Sequence, residues 1–161
     1  MLLSYTTRPK RSETDTDHIF VATDEYFRAK ENGEVAIDTE IAENYYYATI
    51  EQLYEADIYT INPEAHERLL ALNLPNIRFV TVYISCPDDV REKRAMKRGD
   101  DKHKYRVRNF AERQEFRKFV SEEKWDYAIN NLDFPKSYSV LRWITSVEGI
   151  WKSNDIERNN V

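Results

Sequence analysis

The sequence predicts an α/β fold, because strand-like and helix-like segments alternate along the chain from residue 58 onward. The clearest strand is the segment 78–85, whose nearly continuous apolar character is typical of a buried parallel strand. Helix-capping residues occur between the apolar runs, and they indicate which of these runs are helices and which are strands. A length of 161 residues is that of one domain, so we predict a single domain over 1–161.

The predicted strands combine β-branched and aromatic residues, which favour a pleated, half-buried surface. Ile19 and Val21 share one face of a short strand, and three consecutive tyrosines give a strong strand signal at 45–47. We expect the segments 34–41 and 44–48 to pair as a hairpin-like ribbon. The strands are predicted at 2–5, 17–22, 34–41, 44–48, 58–61, 78–85 and 125–130.

Capping residues mark the predicted helix starts. Thr23 precedes two acids, Thr49 and Gln52 form a capping-box pattern, and Asn62 stands directly before Pro63. The helices are predicted at 24–32, 50–56, 63–73, 87–98, 102–122 and from 135 onward. Helical spacing predicts that two of them bury an apolar stripe: Ala65, Leu69 and Leu72 in one, and Val140, Ile144, Val147 and Trp151 in the last.

Composition narrows the function classes. Charged residues make up 33% of the chain and the net charge is −5, which argues against a nucleic-acid partner. No apolar run approaches the roughly 18 residues of a membrane span, and no secretory leader is visible, so no membrane partner is expected. The single cysteine, Cys86, cannot form an internal disulfide. We therefore expect a cytoplasmic protein.

A basic loop at residues 6–11 is the strongest candidate for chemistry. Arg8 and Arg11 each present a planar fork of N–H donors that matches phosphate or carboxylate oxygens. Pro9 keeps the segment extended, so these cations lie on a stiff, non-helical stretch. A solvated basic terminus is the plain alternative, because a short basic run is a weak motif by itself.

The order of motifs resembles the guanylate kinase family. The resemblance runs over about 4–133 and rests on the segments 4–13, 17–27, 44–49 and 96–100. It implies a P-loop-kinase-like (guanylate kinase-like) layered α/β fold with a mainly parallel sheet. A small mixed β subdomain at about 12–56 would bind the monophosphate, and about 90–122 would form a lid and its following helix. The implied reaction is ATP-dependent phosphorylation of GMP, dGMP or a related monophosphate.

The resemblance assigns residues to the acceptor nucleotide. The monophosphate would be held by Arg8, Arg11, Tyr47 and His18. His18 stands where the family usually has a phosphate-contacting tyrosine, and an incidental exposed histidine is the alternative. The base would be contacted by Ser4, Asp38, Thr49 and Asn62. Asp38 takes the place of the guanine-reading acid with Glu40 as the competing assignment, and Ala48 replaces a family glycine.

The lid and the cofactors also follow from the resemblance. Arg98 and Arg108 match the lid arginines that stabilise charge on the transferring phosphoryl group, which would make them the catalytic residues. ATP and Mg²⁺ are implied by the family alone. Asn62 replaces the family's carboxylate and is a weak ligand for Mg²⁺, so we predict no metal site in this chain.

The sequence contains no Gly-x-x-x-x-Gly-Lys-Ser/Thr motif, whose backbone N–H groups would surround the ATP phosphates. In the family the first strand, this loop and the first helix precede the basic loop, whereas only five residues precede Thr6 here. We expect little or no kinase activity from the chain alone. We also expect a rearranged sheet, a homodimer, or another chain or upstream segment that fills the missing strand.

Three functional hypotheses follow. The first is a guanylate-kinase-like protein that binds a GMP-like nucleoside monophosphate. The second is a noncatalytic pseudo-kinase module that binds a nucleotide, a phosphopeptide or a protein partner. The third is a gene fragment without function.

Overall fold

The computed structural model describes residues 1–150, and it divides the chain into two compact units. The first unit is Met1–Ile77, and the second is Arg78–Val161. Each unit has its own sheet and its own helices, and each is described by itself below. The prediction of a single domain over the whole chain stays a prediction.

The first unit contains a mixed four-stranded sheet in the order β2-β1-β4-β3. β1 is parallel to β2 and antiparallel to β4, and β4 is antiparallel to β3. The elements are β1 (Tyr5–Thr6), β2 (Ile19–Phe20), α1 (Thr23–Glu31), β3 (Val35–Ile41), β4 (Asn44–Thr49), α2 (Ile50–Glu55) and α3 (Pro63–Ala71). The predicted ribbon of 34–41 with 44–48 is confirmed.

The register of this sheet separates its side chains into two faces, because successive residues of a strand point to opposite sides. In one row, Tyr5 lies opposite Tyr47, and Tyr47 lies opposite Asp38. We name the face of this row the α1 face. In the next row, Thr6 lies opposite Tyr46, and Tyr46 lies opposite Thr39. We name the face of this second row the His18 face, because the ring of His18 meets the ring of Tyr46 there.

The core of the first unit lies on the α1 face. Tyr26 of α1 is 1% exposed, and its ring stacks on Tyr45 at a centroid distance of 4.2 Å. Tyr47 stacks on Tyr5 at 4.8 Å and is 4% exposed. Such aromatic pairs contribute about 0.5–1.5 kcal/mol each beyond the area that they bury. This cluster of rings holds α1 against the sheet.

Local capping chemistry fixes the helix starts of the first unit. The Thr49 hydroxyl accepts from the Gln52 N–H, and the Gln52 side chain accepts from the Thr49 N–H, which confirms the predicted capping box. Asn62 caps α3 ahead of Pro63, as predicted. The N-cap of α1 is Ala22, so the prediction for Thr23 is wrong by one residue.

Two other predictions for the first unit are wrong. No strand forms at 58–61. The N-terminal segment makes a single backbone hydrogen bond to it, from Leu2 N–H to Ile58 O. A strand requires a continuous ladder, and none of the strands in the first 77 residues supplies one to this segment. Leu72 is 38% exposed although Ala65 and Leu69 are buried, because α3 ends at Ala71.

The second unit has a two-stranded parallel sheet, and its described elements are β5 (Val82–Ser85), α4 (Asp88–Arg98), α5 (Lys102–Ser121), β6 (Tyr127–Asn130) and α6 (Phe134–Val147). β5 is shorter than the predicted 78–85. Tyr83 packs against Phe119 and Trp125 at centroid distances of 5.8 and 5.1 Å. Gly99 ends α4 with a φ of 89°, a left-handed conformation that favours glycine.

The buried face of α6 differs from the predicted stripe. Ile144 is 2% exposed, as predicted, but Val140 is 43% and Val147 is 57% exposed. The helix is rotated so that Ile144 and its neighbour Thr145 face inward. Apolar residues occur on several sides of α6, so helical spacing could not identify the buried side. The fourth residue of the predicted stripe, Trp151, lies outside the described residues.

Candidate functional site: a buried arginine beside His18

The basic loop folds around an aspartate that the motif analysis did not single out. One Arg8 nitrogen, Nη1, donates to Asp15 Oδ2 at 3.0 Å and to the Pro9 carbonyl at 2.9 Å. The same carboxylate oxygen accepts from the Arg11 N–H at 2.9 Å. The side chains of Arg8 and Asp15 are only 10% and 5% exposed. Asp15 therefore closes the loop and fixes the direction of Arg8.

The charge of Asp15 is well stabilised. The Arg11 backbone N–H and the Arg8 side chain lower the pKa of the Asp15 carboxyl to about 2. Asp15 thus stays ionised throughout the physiological range. The sequence does contain acids after Arg11 that could pair with the basic loop. Their spacing alone did not show which of them binds Arg8.

Arg8 keeps donor capacity that the protein does not use. Its Nε and Nη2 atoms are buried and have no hydrogen-bond partner. The guanidinium carbon lies 5.2 Å from the ring centroid of Phe20, and Lys10 Nζ lies 5.3 Å from the same centroid. Buried donors without partners are rare in folded proteins. These two atoms therefore mark a place where an anionic acceptor would be stabilised.

His18 extends this polar region on the His18 face. Its Nδ1 is 3.0 Å from the Ser4 hydroxyl, and its ring meets that of Tyr46 edge-on at 5.4 Å. Burial and the positive charge of Arg8 lower the pKa of His18, so the ring is neutral at pH 7. The structure thus brings together four residues of the N-terminal unit: Ser4, Arg8, His18 and Tyr46. Arg11 adds an exposed cation to the same loop.

Tyr47 does not lie in this group, which does not fit its predicted phosphate contact. The ring is buried on the α1 face, between Tyr5 and Tyr26. The neighbouring Tyr46 is the tyrosine that reaches His18. Because adjacent residues of a strand point to opposite faces, an error of one position in the motif alignment exchanges the two tyrosines.

Asp38 is also on the α1 face, where its carboxylate is already bound. It accepts from the Tyr26 hydroxyl and from Lys30 Nζ, each at 2.7 Å, and it pairs with Arg68 at 3.3 Å. Burial raises the pKa of Asp38, but the bonds from Lys30 and Tyr26 give a net lowering. The competing assignment, Glu40, points to the same face by strand alternation. Neither acid is placed to read a base beside Ser4 and His18.

The remaining base candidates act as helix caps. The Thr49 hydroxyl accepts from Gln52 N–H at 3.3 Å, and Asn62 Oδ1 accepts from Ala65 N–H at 3.1 Å. The other atom of the Asn62 amide, Nδ2, donates to Thr39 Oγ1 at 3.4 Å. Asn62 thereby contacts a residue of the His18 face, while its own oxygen is committed to the helix.

The two lid arginines lie in the second unit, and each is paired with an acid. Arg98 Nε donates to Asp100 Oδ1 at 2.8 Å. Arg108 Nε lies 3.2 Å from Glu112 Oε1, one helical turn further along α5. Each candidate lid arginine therefore has an acidic side chain beside it, and Arg98 would have to release Asp100 before its Nε could bind a phosphoryl group.

Two observations concern the Mg²⁺ that the family resemblance implies. Among residues 1–150, no group of three or more His, Cys, Asp or Glu side chains is placed to hold a metal ion. Asn62, which replaces the family carboxylate, uses its amide oxygen as a helix cap. No helix in this part of the chain is long and apolar enough to cross a membrane.

Comparisons with known proteins define the fold class. No family model and no curated protein match the chain. Among solved structures, it is similar to guanylate kinase from Anaplasma phagocytophilum, with a TM-score of 0.64 and 22% sequence identity. The match covers 94% of this chain and 76% of that one. The chain therefore has a guanylate kinase-like α/β fold, which confirms the predicted fold class.

Proposed function

We propose that the chain binds a phosphate monoester of the nucleoside monophosphate class on the His18 face of its first unit. The observation that carries this proposal is the buried guanidinium of Arg8. Asp15 holds it on one side, and its Nε and Nη2 donors have no partner. The guanylate kinase-like fold supports a nucleoside monophosphate as the ligand.

The polar groups around Arg8 suit the charge of a phosphate. Arg8 would donate two parallel hydrogen bonds, and Arg11 would add charge from the rim of the loop. His18, Ser4 and Tyr46 would supply neutral polar groups. Charge-assisted bonds of this kind contribute about 1.5–3 kcal/mol each. The unpaired Arg8 atoms are buried, so a neighbouring side chain must move before a phosphate can reach them. We expect this side chain to be the exposed Lys10, which contacts the same Phe20 ring as Arg8.

Catalysis is a separate part of the proposal. The family reaction would be ATP-dependent phosphorylation of GMP, dGMP or a related monophosphate. We expect the polypeptide as printed not to catalyse it alone, because it has no Gly-Lys phosphate loop and its candidate lid arginines are paired with acids. These features favour the alternative of a noncatalytic module that recognises a phosphorylated partner through the same arginine.

Calorimetric titration tests the binding proposal. GMP, dGMP, AMP, ATP and a phosphoserine peptide are titrated into the native chain and into Arg8→Ala. Arg28→Ala is the matched control, because Arg28 is an exposed helix arginine paired with Asp24. We expect a monophosphate to bind, and Arg8→Ala to weaken it by roughly 10- to 150-fold. Arg28→Ala should leave binding unchanged.

The ligand that binds decides between the two forms of the proposal. Binding of the phosphoserine peptide alone would favour the noncatalytic module. If none of the ligands binds the native chain, or if the two alanine variants behave alike, the phosphate site is contradicted. Formation of ADP from ATP and GMP by the purified chain would contradict the catalytic part alone.

A further inference from the structure

Arg8 and His18 meet around the ring of Phe20 in the first unit. The Arg8 guanidinium carbon lies 5.2 Å from the centroid of this ring, and Lys10 Nζ lies 5.3 Å from it. The His18 ring meets the same ring edge-on, at a centroid distance of 6.4 Å. The charge of Arg8 acts on His18, since it is one of the causes that lower the pKa of the histidine. A charge that binds Arg8 will therefore also act on His18.

The surroundings of His18 favour its neutral form in the protein alone. The ring is half-buried, and burial is the largest cause of its lowered pKa, followed by the charge of Arg8. The charged and titratable groups that face the ring are Arg8 and Asp15 of the basic loop, Asp17 of its own segment and Tyr46 of β4. Histidine is the one side-chain type among them that changes charge between about pH 5 and 8.

The hydrogen-bond partner of His18 suits both charge states of the ring. His18 Nδ1 lies 3.0 Å from the hydroxyl of Ser4, which is 7% exposed. A hydroxyl can donate to a ring nitrogen or accept from it, whereas both nitrogens of a protonated ring are donors. The Ser4 contact therefore persists when His18 gains a proton, because the hydroxyl only has to rotate. Protonation of the ring leaves no buried hydroxyl unpaired here.

A phosphate on Arg8 would change the balance at His18. An opposite charge within about 4–6 Å favours the charged form of a titratable group. The two negative charges of a phosphate monoester would offset the charge of Arg8 and attract a second cation. We propose that His18 takes up a proton from solvent when a phosphate monoester binds Arg8, and that the site thereby selects a doubly charged ester over a singly charged one. This inference rests on the proposed phosphate site and adds the charge state of its ligand.

The inference gives the affinity a definite dependence on pH. The bound state holds one more proton than the free state, so binding weakens as pH rises. The second ionisation of a phosphate monoester lies near pH 6, so above about pH 7 the ligand keeps both charges. Asp15 has a pKa of about 2 and stays ionised in this range. We expect the affinity to fall by about three- to tenfold between about pH 7 and 8.5, with His18 as the cause.

Nuclear magnetic resonance of the histidine rings tests the inference directly. The chain has three histidines, and the His18 signal is assigned from its loss in His18→Gln. The ring signals of the full chain are followed against pH, alone and with saturating GMP. We expect GMP to move the titration midpoint of His18 to higher pH. The midpoint of His103, an exposed residue of the second unit, should stay in place.

Calorimetry supplies the matched variants and the matched ligand. In buffers that differ in ionisation enthalpy at pH 7, GMP binding should take up a proton in the native chain and in His103→Gln, but not in His18→Gln. The affinity of His18→Gln for GMP should not fall between about pH 7 and 8.5. The methyl ester of GMP, which carries a single phosphate charge, should bind the native chain at least about tenfold more weakly.

The outcomes separate this inference from the proposed function. If GMP binds the native chain but the His18 midpoint does not move, the inference is overturned and the phosphate site stands. Equal pH profiles of the native chain and His18→Gln would overturn it too. If the phosphoserine peptide alone binds, it replaces GMP as the probe and the same results are expected. If neither ligand binds at any pH, the phosphate site and the inference are both contradicted.

Discussion

Asp15 is the residue on which the geometry of the basic loop depends. Its carboxylate binds both the side chain of Arg8 and the backbone of Arg11, so one acid orients one cation and fixes the turn that carries the other. A loop of arginines without such an acid would sample many conformations and would lose more entropy on binding an anion. The same contact leaves Arg8 with two of its three donor nitrogens, Nε and Nη2, for a ligand.

The acid stability of the protein should report this contact. The pKa of Asp15 is lowered from its ordinary 3.8 to about 2, so the folded state holds the ionised form more strongly than the unfolded chain does. Its contribution to stability is therefore full above about pH 4 and is lost as pH falls toward 2. We expect Asp15→Asn to lower the urea midpoint at pH 6 and to converge with the native chain at pH 2.

A control for this comparison is Asp24→Asn, which removes an exposed helix carboxylate paired with Arg28. Exposed pairs of this kind contribute about 0–1 kcal/mol, so the control should shift the urea midpoint little at either pH. If Asp15→Asn unfolds at the same urea concentration as the native chain at pH 6, the stabilising role of Asp15 is contradicted.

At the scale of the element, the strand register determines which tyrosine takes part in the candidate site. Tyr46 and Tyr47 are adjacent in β4 and therefore lie on opposite faces of the sheet. A run of three identical residues gives no local signal for the buried one. The pairing of β3 with β4 also shifts between Val35 and Ile37, and no sequence pattern marked that irregularity.

The two tyrosines should respond differently to substitution. We expect Tyr46→Phe to weaken monophosphate binding several-fold while thermal stability stays unchanged. Tyr47→Ala should lower the free energy of unfolding by about 3–5 kcal/mol, because it removes a buried ring from the core of the first unit. Urea unfolding and calorimetry on both variants check this pair. If Tyr46→Phe left binding unchanged and Tyr47→Ala weakened it without loss of stability, the assigned strand register would be wrong.

Two of the three N-caps predicted for the first unit are confirmed, because a cap depends on residues close in sequence. Thr49 with Gln52 and Asn62 with Pro63 both occur as expected. The same local chemistry explains these two residues without a nucleotide. The face of Asp38 could not be predicted in this way, because Lys30 and Arg68 reach it from two different helices.

Substitutions of Thr49 and Asn62 distinguish a role as helix caps from a role in contacting the nucleotide. Thr49→Ala and Asn62→Ala should each lower the free energy of unfolding by about 1 kcal/mol, because each removes the acceptor for an N-terminal helix N–H. Thr49→Ser should restore the cap. Binding of a monophosphate, measured by calorimetry below the unfolding range, should be unchanged. A tenfold loss of affinity with normal stability would show that these residues contact the ligand after all.

At the scale of the whole molecule, the fold class could be predicted because ordered motifs and alternating elements extend along most of the chain. The details that failed depend on neighbours distant in sequence. The segment 58–61 is apolar enough for a strand, yet no ladder forms there. β5 is only part of the predicted segment and pairs on one side. In α6, Val140 and Val147 are exposed although helical spacing predicted that they are buried.

The central claim is that a phosphate monoester binds the unpaired donors of Arg8, and nuclear magnetic resonance of the arginine side chains tests it most directly. In ¹⁵N-labelled protein titrated with GMP, the Arg8 Nε–H signal, assigned from its loss in Arg8→Lys, should shift downfield and saturate. The Arg28 Nε–H signal should stay in place. If the Arg8 signal does not move at GMP concentrations that saturate a calorimetric titration, the ligand binds elsewhere and the claim is wrong.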